Sequence, residues 1–274
     1  MSLEKSIHKA DLDHFQEQAV IAVRRAGALL KPVASQLHDT AYDKRADLVK
    51  KVDDELLASM LETLIASFPD YNYLSYASSD PTPNKEGCLW IVDPLVGTTN
   101  FVYGYPYYAI STALLVDGVI VVGNVYNPAT DELFAAAKGQ GAFMNGEPIR
   151  VSTTPAVNEA FLATRFPYDM HDGGPTNLGL FNHLAMKAKA IQNDGSATLD
   201  LAFLAAGRFD GFWEMRLSPW DLAAGVLLVE EAGGTVSRLS GEPYAIESPD
   251  MLATNGAIHA DALKAIAEVP PESW

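Results

Sequence analysis

The sequence predicts an α/β protein on three observations: two long amphipathic helix patterns before residue 69, a hairpin-rich stretch around Asp117-Gly118, and alternating strand and helix patterns after Val151. Leu12, Phe15, Ala19, Ala22, Val23, Ala26, Leu29 and Leu30 recur at helical spacing, which predicts a helix to about Lys31, ended by Pro32. A second helix is expected from near Asp47, a plausible cap. Leu48, Val52, Leu56, Met60, Leu64 and Phe68 form its buried stripe, and Pro69 stops it.

The apolar run 88–92 breaks at Asp93-Pro94 and reads as a buried strand that ends in a loop. Segments 109–116 and 119–126 flank Asp117-Gly118, a dipeptide that tolerates the positive φ of a tight hairpin turn. Turns at Asn127-Pro128 and Asn145-Gly146 separate candidate strands over 134–137 and 141–144, so the middle of the chain reads as antiparallel β. Beyond Val151, 160–164 and 209–213 read as extended, and 178–189, 197–206 and 220–232 as helical. The last helix stops at Gly233-Gly234 and carries Asp221 in its first turn. Residues 171–175 suit a flexible loop. The expected organisation is one body of two lobes, about 1–150 and about 151–274, with no repeat and no long linker.

Composition narrows the function classes. With 19 Lys+Arg against 35 Asp+Glu the net charge is −16, which opposes attraction to nucleic acid and to anionic membranes. A lone cysteine, Cys88, allows no intramolecular disulfide and no four-Cys zinc site, and a reducing, cytoplasmic setting is the simplest reading. The first ten residues are too polar for a secretion signal, and no window offers the ~18 apolar residues of a membrane span. The six histidines, His14, His38 and His259 among them, show no metal-site spacing.

Chemistry concentrates in two segments. In Trp90-Ile91-Val92-Asp93-Pro94-Leu95-Val96-Gly97-Thr98-Thr99-Asn100-Phe101, a carboxylate at a strand end precedes a Gly turn and two hydroxyl residues opening a helix. That order offers a hard-cation ligand beside backbone N–H groups able to cradle a phosphate. In Ser218-Pro219-Trp220-Asp221-Leu222-Ala223-Ala224-Gly225 a second carboxylate opens a helix, where the dipole favours negative charge. Each segment alone also fits an ordinary helix cap.

Together they resemble the paired signature of the inositol monophosphatase family, Asp-Pro-(Ile/Leu)-Asp-Gly-(Thr/Ser) with Trp-Asp-x-Ala-Ala-Gly. The resemblance extends through Asp47-Leu48-Val49 with Asp53, Gly139 to Gly146, Phe166-Pro167-Tyr168 and Gly195-Ser196-Ala197. It implies a layered αβαβα sandwich, usually dimeric, and Mg²⁺-dependent hydrolysis of a phosphate monoester on a polyol or sugar. Carried over, it makes Asp93, the Leu95 carbonyl and Asp221 metal ligands, and Thr98 with Asp53 the pair that orients the attacking water. Gly97, Thr98 and Thr99 become the phosphate cradle, while Gly195, Ser196, Ala197 and Glu214 become substrate contacts.

Two departures bear on activity. Val96 stands where the family has its second signature Asp, and Tyr76-Ala77 where it has a Glu pair; Asn193-Asp194 also replaces a basic-then-apolar pair. The resemblance thus implies a site short of two metal carboxylates, with fewer or weaker Mg²⁺ positions and impaired turnover. The alternative is an active phosphatase in which Asp80, Asp194 or the Tyr76 phenol substitutes, and a third reading leaves the motifs as caps and turns alone.

Overall fold

The computed structural model describes residues 8–78, 86–167 and 176–274; the loop expected over 171–175 and the candidate ligand Asp80 lie outside them. Two helices, α1 (Lys9–Asp39) and α2 (Tyr42–Ser67), precede strands β1 (Asn72–Leu74) and β2 (Cys88–Val96) and a short helix α3 (Thr98–Tyr103). Strands β3 (Ala109–Val116), β4 (Val119–Asn127), β5 (Glu132–Ala137), β6 (Gly141–Met144) and β7 (Glu147–Ile149) complete a seven-stranded sheet in sequential order. Its pairings are antiparallel except β1 with β2.

The rest of the chain forms β8 (Phe161–Thr164), α4 (Leu178–Ala185), β9 (Ala190–Gln192), α5 (Ala197–Ala205), β10 (Gly211–Met215), α6 (Pro219–Glu231), β11 (Thr235–Ser237), β12 (Asp250–Thr254) and α7 (His259–Ala267). The second sheet runs β11-β12-β10-β8-β9. Three cores glue five layers together. One joins α1 and α2 to the outer face of the large sheet through Leu30, Leu56, Trp90 and Leu114. A second fills the space between the sheets around α5 and α6, with Leu201, Leu227, Phe134 and Phe212. The third packs α4 and α7 on the far face of the small sheet through Leu180, Trp213 and Ile266. The αβαβα order expected from the resemblance is thus the order observed.

Helix α2 begins at Tyr42 with Ala41 before it, so Asp47 lies inside the helix and is not its cap. Two further boundaries differ from the sequence reading, each for a physical reason. The first helix passes through Pro32 to Asp39. A proline inside a helix forfeits a hydrogen bond and costs about 3 kcal/mol, but the apolar stripe continues with partly buried Val33 and Ala34 and buried Leu37. Packing on that stripe sustains the last turns. The second difference bears on the site: β2 does not stop at Asp93-Pro94 but runs to Val96, with its register against β3 shifting between Asp93 and Val96. Such an irregularity accommodates a proline in a strand and re-aims the side chains around it.

Smaller differences follow from length. The helix expected over 178–189 ends at Ala185 and gives way to β9, and strands of three residues such as β1, β7 and β11 are too short to leave a periodic signal.

Candidate active site

Four elements and two connections converge on one cavity of about 200 Å³. Asp53 reaches it from α2, whose neighbouring Val52 and Leu56 are buried against the large sheet. Tyr76 comes from the turn after β1, Asp93, Leu95 and Val96 from the irregular end of β2, and Gly97 and Thr98 from the start of α3. Trp220 and Asp221 open α6, and Arg165 follows β8.

Local chemistry fixes these positions. Gly97 has φ +80°, and a Cβ there would lie 2.9 Å from the Tyr107 carbonyl oxygen, so both conformation and space call for glycine. Gly97→Ala is expected to lower stability by about 1–2 kcal/mol from the left-handed backbone alone, read as a shifted urea midpoint with unchanged slope. Just beyond, the Asn100 side-chain amide donates to the carbonyls of Tyr107 and Asp194, both at 2.7 Å, tying α3 to the loop that contains Gly195. At α6, Ser218 and Asp221 cap each other's backbone N–H groups, and Pro219 sits in the first turn, where its missing N–H is harmless.

The carboxylates are held under electrostatic tension. Asp93 is buried, accepts a hydrogen bond from the Leu95 N–H at 3.1 Å, and has its pKa pushed well above the usual carboxylate range by burial and then by the charge of Asp221. Burial likewise raises Asp221, offset in part by the Arg165 charge and by the Ser218 N–H. Burial raises the Asp53 pKa and the neighbouring Tyr76 hydroxyl restrains the rise, while Asp53 Oδ1, shielded from solvent, has no hydrogen-bond partner. The same neighbours keep the Tyr76 phenol protonated: its pKa rises through burial and then through Asp53.

Of the residues singled out in the sequence, Asp53, Asp93, Leu95, Gly97, Thr98 and Asp221 do share this cavity, as do the substituted Val96 and Tyr76. Thr98 Oγ donates to the Leu95 carbonyl at 2.9 Å, and no hydrogen bond joins Thr98 to Asp53 among the described residues. Thr99, Gly195, Ser196, Ala197 and Glu214 fall outside the described lining. Ser196 caps α5 by accepting from the Leu199 N–H, and Glu214, fully buried in β10, pairs with Arg165 at 2.6 Å. Burial lifts the Glu214 pKa to about 7, and Arg165 restrains the rise. Asp194 is turned elsewhere, its carboxylate accepting from the Tyr105 hydroxyl at 3.2 Å.

Sequence reasoning missed Arg165. The signal was its place directly before Phe166-Pro167, a segment that matched the resemblance while this residue went unread. The Trp-Asp-x-Ala-Ala-Gly segment also gains a second meaning. A Cβ on Gly225 would lie 2.6 Å from the Leu201 Cβ, and one on Gly123 would lie 2.9 Å from the Ala224 carbonyl, so the small residues exist to let α6 approach α5 and β4.

The donor set suits a hard cation. Mg²⁺ is normally held by one or two carboxylates with waters and phosphate oxygens completing the octahedron. Asp93 and Asp221 can provide these, with the orphaned Asp53 Oδ1 nearby on the same wall. The rest of the lining places a hydrocarbon at Val96, a protonated phenol at Tyr76 and a guanidinium at Arg165.

The family model for the inositol monophosphatase family matches residues 11–270. The chain belongs to that family. An inositol-1-monophosphatase of Synechocystis sp. is 38% identical over 262 residues, covering 95% of this chain and 91% of the relative. A protein of Neisseria meningitidis serogroup B named a putative Nus factor SuhB is also 38% identical, over 93% of this chain and 99% of its own. Among solved structures, the inositol monophosphatase from Anabaena (Nostoc) sp. superposes with a TM-score of 0.87 at 39% identity, covering 95% of this chain and 98% of that one. The inositol monophosphatase fold therefore extends over nearly the full length of the chain.

Proposed function

We propose that this inositol monophosphatase-family protein binds a phosphate monoester of a polyol or sugar at the Asp93–Asp221 cavity and turns it over weakly or not at all. The observation that carries the reading is the pair of substitutions on the cavity wall, Val96 at the end of β2 and Tyr76 on the same lining as Asp53. One Mg²⁺, when bound by Asp93 and Asp221 with the Leu95 carbonyl, would polarise a phosphoryl oxygen and acidify a water. Asp53 and Thr98 would orient that water, and the N–H groups of Gly97, Thr98 and Thr99 would hold the phosphate. Family-type hydrolysis divides hydroxide formation and leaving-oxygen stabilisation between ions, and losing one charge-stabilising group typically costs ~10²–10³ in rate. Glu214, Gly195, Ser196 and Ala197 then act behind this wall and shape the site from outside the lining.

Phosphate release from inositol 1-phosphate with saturating Mg²⁺ tests the reading. Turnover at least ~10²-fold below an ordinary ~10 s⁻¹ is expected, together with thermal protection by phosphate. A rate in the ordinary range would instead favour the active alternative, with ligands from outside the described residues such as Asp80. A non-catalytic role through protein contacts gains support from the relative of equal likeness named a putative Nus factor. We also infer a homodimer in a cytoplasmic setting, organised as one domain of two lobes, with direct binding of nucleic acid or membrane opposed by the net charge of −16.

A further inference from the structure

We propose that Arg165 supplies the second positive charge of this cavity, a tethered cation that binds the phosphate group alongside a single divalent ion. The inference rests on the preceding reading that the site holds no more than one such ion. A cavity walled by Asp53, Asp93 and Asp221 repels an anion unless positive charge is placed among them. Arg165 is the one basic residue among the described residues of that wall.

Its placement is built rather than incidental. The residue is 9% exposed, its Nε donates to Glu214 Oε1 at 2.6 Å, and Glu214 is itself buried in the middle of the small sheet. The backbone is clamped as well: the fully buried Asn177 donates from its side-chain amide to the Arg165 carbonyl and to Thr164 Oγ, both at 2.8 Å, and accepts from the Trp213 indole at 2.7 Å. A guanidinium held at Nε by Glu214 keeps its positive charge fixed on this wall, where a phosphoryl group can meet it. The desolvation that makes such a buried charge expensive also makes it effective toward an oxyanion. The position of Val96 is consistent with this division: a carboxylate is needed at a wall only where a mobile cation must be held, and Arg165 is held by Glu214 instead.

Calorimetric titration of Mg²⁺ alone, and of inorganic phosphate at saturating Mg²⁺, tests the assignment on the native chain, Arg165→Lys, Arg165→Gln and the double variant Arg165→Gln/Glu214→Gln. Loss of charge-assisted hydrogen bonds predicts phosphate affinity at least about tenfold weaker in Arg165→Gln, with Lys keeping most of it. Mg²⁺ affinity without phosphate should move the opposite way and rise, because the ion no longer meets a fixed cation. Misfolding would weaken both, and the double variant, which leaves no unpaired buried charge, repeats the split if the single variant is unstable. Unchanged or tighter phosphate binding in both Gln variants would overturn the role of Arg165. A stoichiometry of two Mg²⁺ per native chain would overturn the single-ion reading beneath it, whichever way phosphate responds.

Discussion

Val96→Asp combined with Tyr76→Glu is expected to raise Mg²⁺ affinity and to increase phosphate-ester hydrolysis by ~10²-fold or more. Both positions line the same cavity as Asp93 and Asp221, so the added carboxylates enter an existing cluster and do not create a distant one. Neither single change should give half the effect, since residues that act as a unit are not additive. Val96→Asp alone introduces a fourth acid beside three whose ionisation burial already opposes, and without a partner ligand it raises that penalty. Tyr76→Glu alone exchanges a neutral phenol on the same lining as Asp53 for a like charge. Only together do they offer a second ion enough oxygen. Adding Arg165→Gln to the pair should tighten metal binding further by removing a competing fixed charge. Titration of Mg²⁺ with parallel phosphate-release assays reads both quantities; unchanged affinity in the double variant would mean that other groups already complete the cage.

Gly225→Val carries the largest stability effect expected for one substitution here. The first added atom would lie 2.6 Å from both Cβ and Cδ1 of Leu201, in a core where Leu201 is fully buried. Overpacking costs about 1–3 kcal/mol, and a β-branched side chain at this contact belongs at the upper end. A loss near 3 kcal/mol lowers Tm by roughly 6–12 °C in a chain of this size. Because α6 also positions Asp221, the variant should lose Mg²⁺ affinity in step with its displacement, whereas an equally destabilising cavity in the distant third core, such as Leu180→Ala, should leave that affinity intact. Thermal melts with and without Mg²⁺ separate the two.

The α/β class, the Asp117-Gly118 hairpin, the stripes of α1 and α2 and the two carboxylate-bearing segments were legible in the chain itself. Periodicity and turn chemistry are properties of neighbouring residues, and they survive without knowledge of what packs against them. Val96 and Tyr76, the departures from the motif, were legible for the same reason, as residue types at fixed places in the sequence. Tertiary structure alone decided that α1 continues past Pro32, that β2 carries Asp93 and Val96 on one irregular strand end, and that Glu214 is interior and not solvated. It alone also brought Arg165 to the wall that Asp93 and Asp221 share. Each of those outcomes is set by contacts between residues far apart in the chain. Arg165 and Glu214 are separated by 49 positions, and a local pattern cannot report the desolvation and charge that come from a neighbour it does not contain.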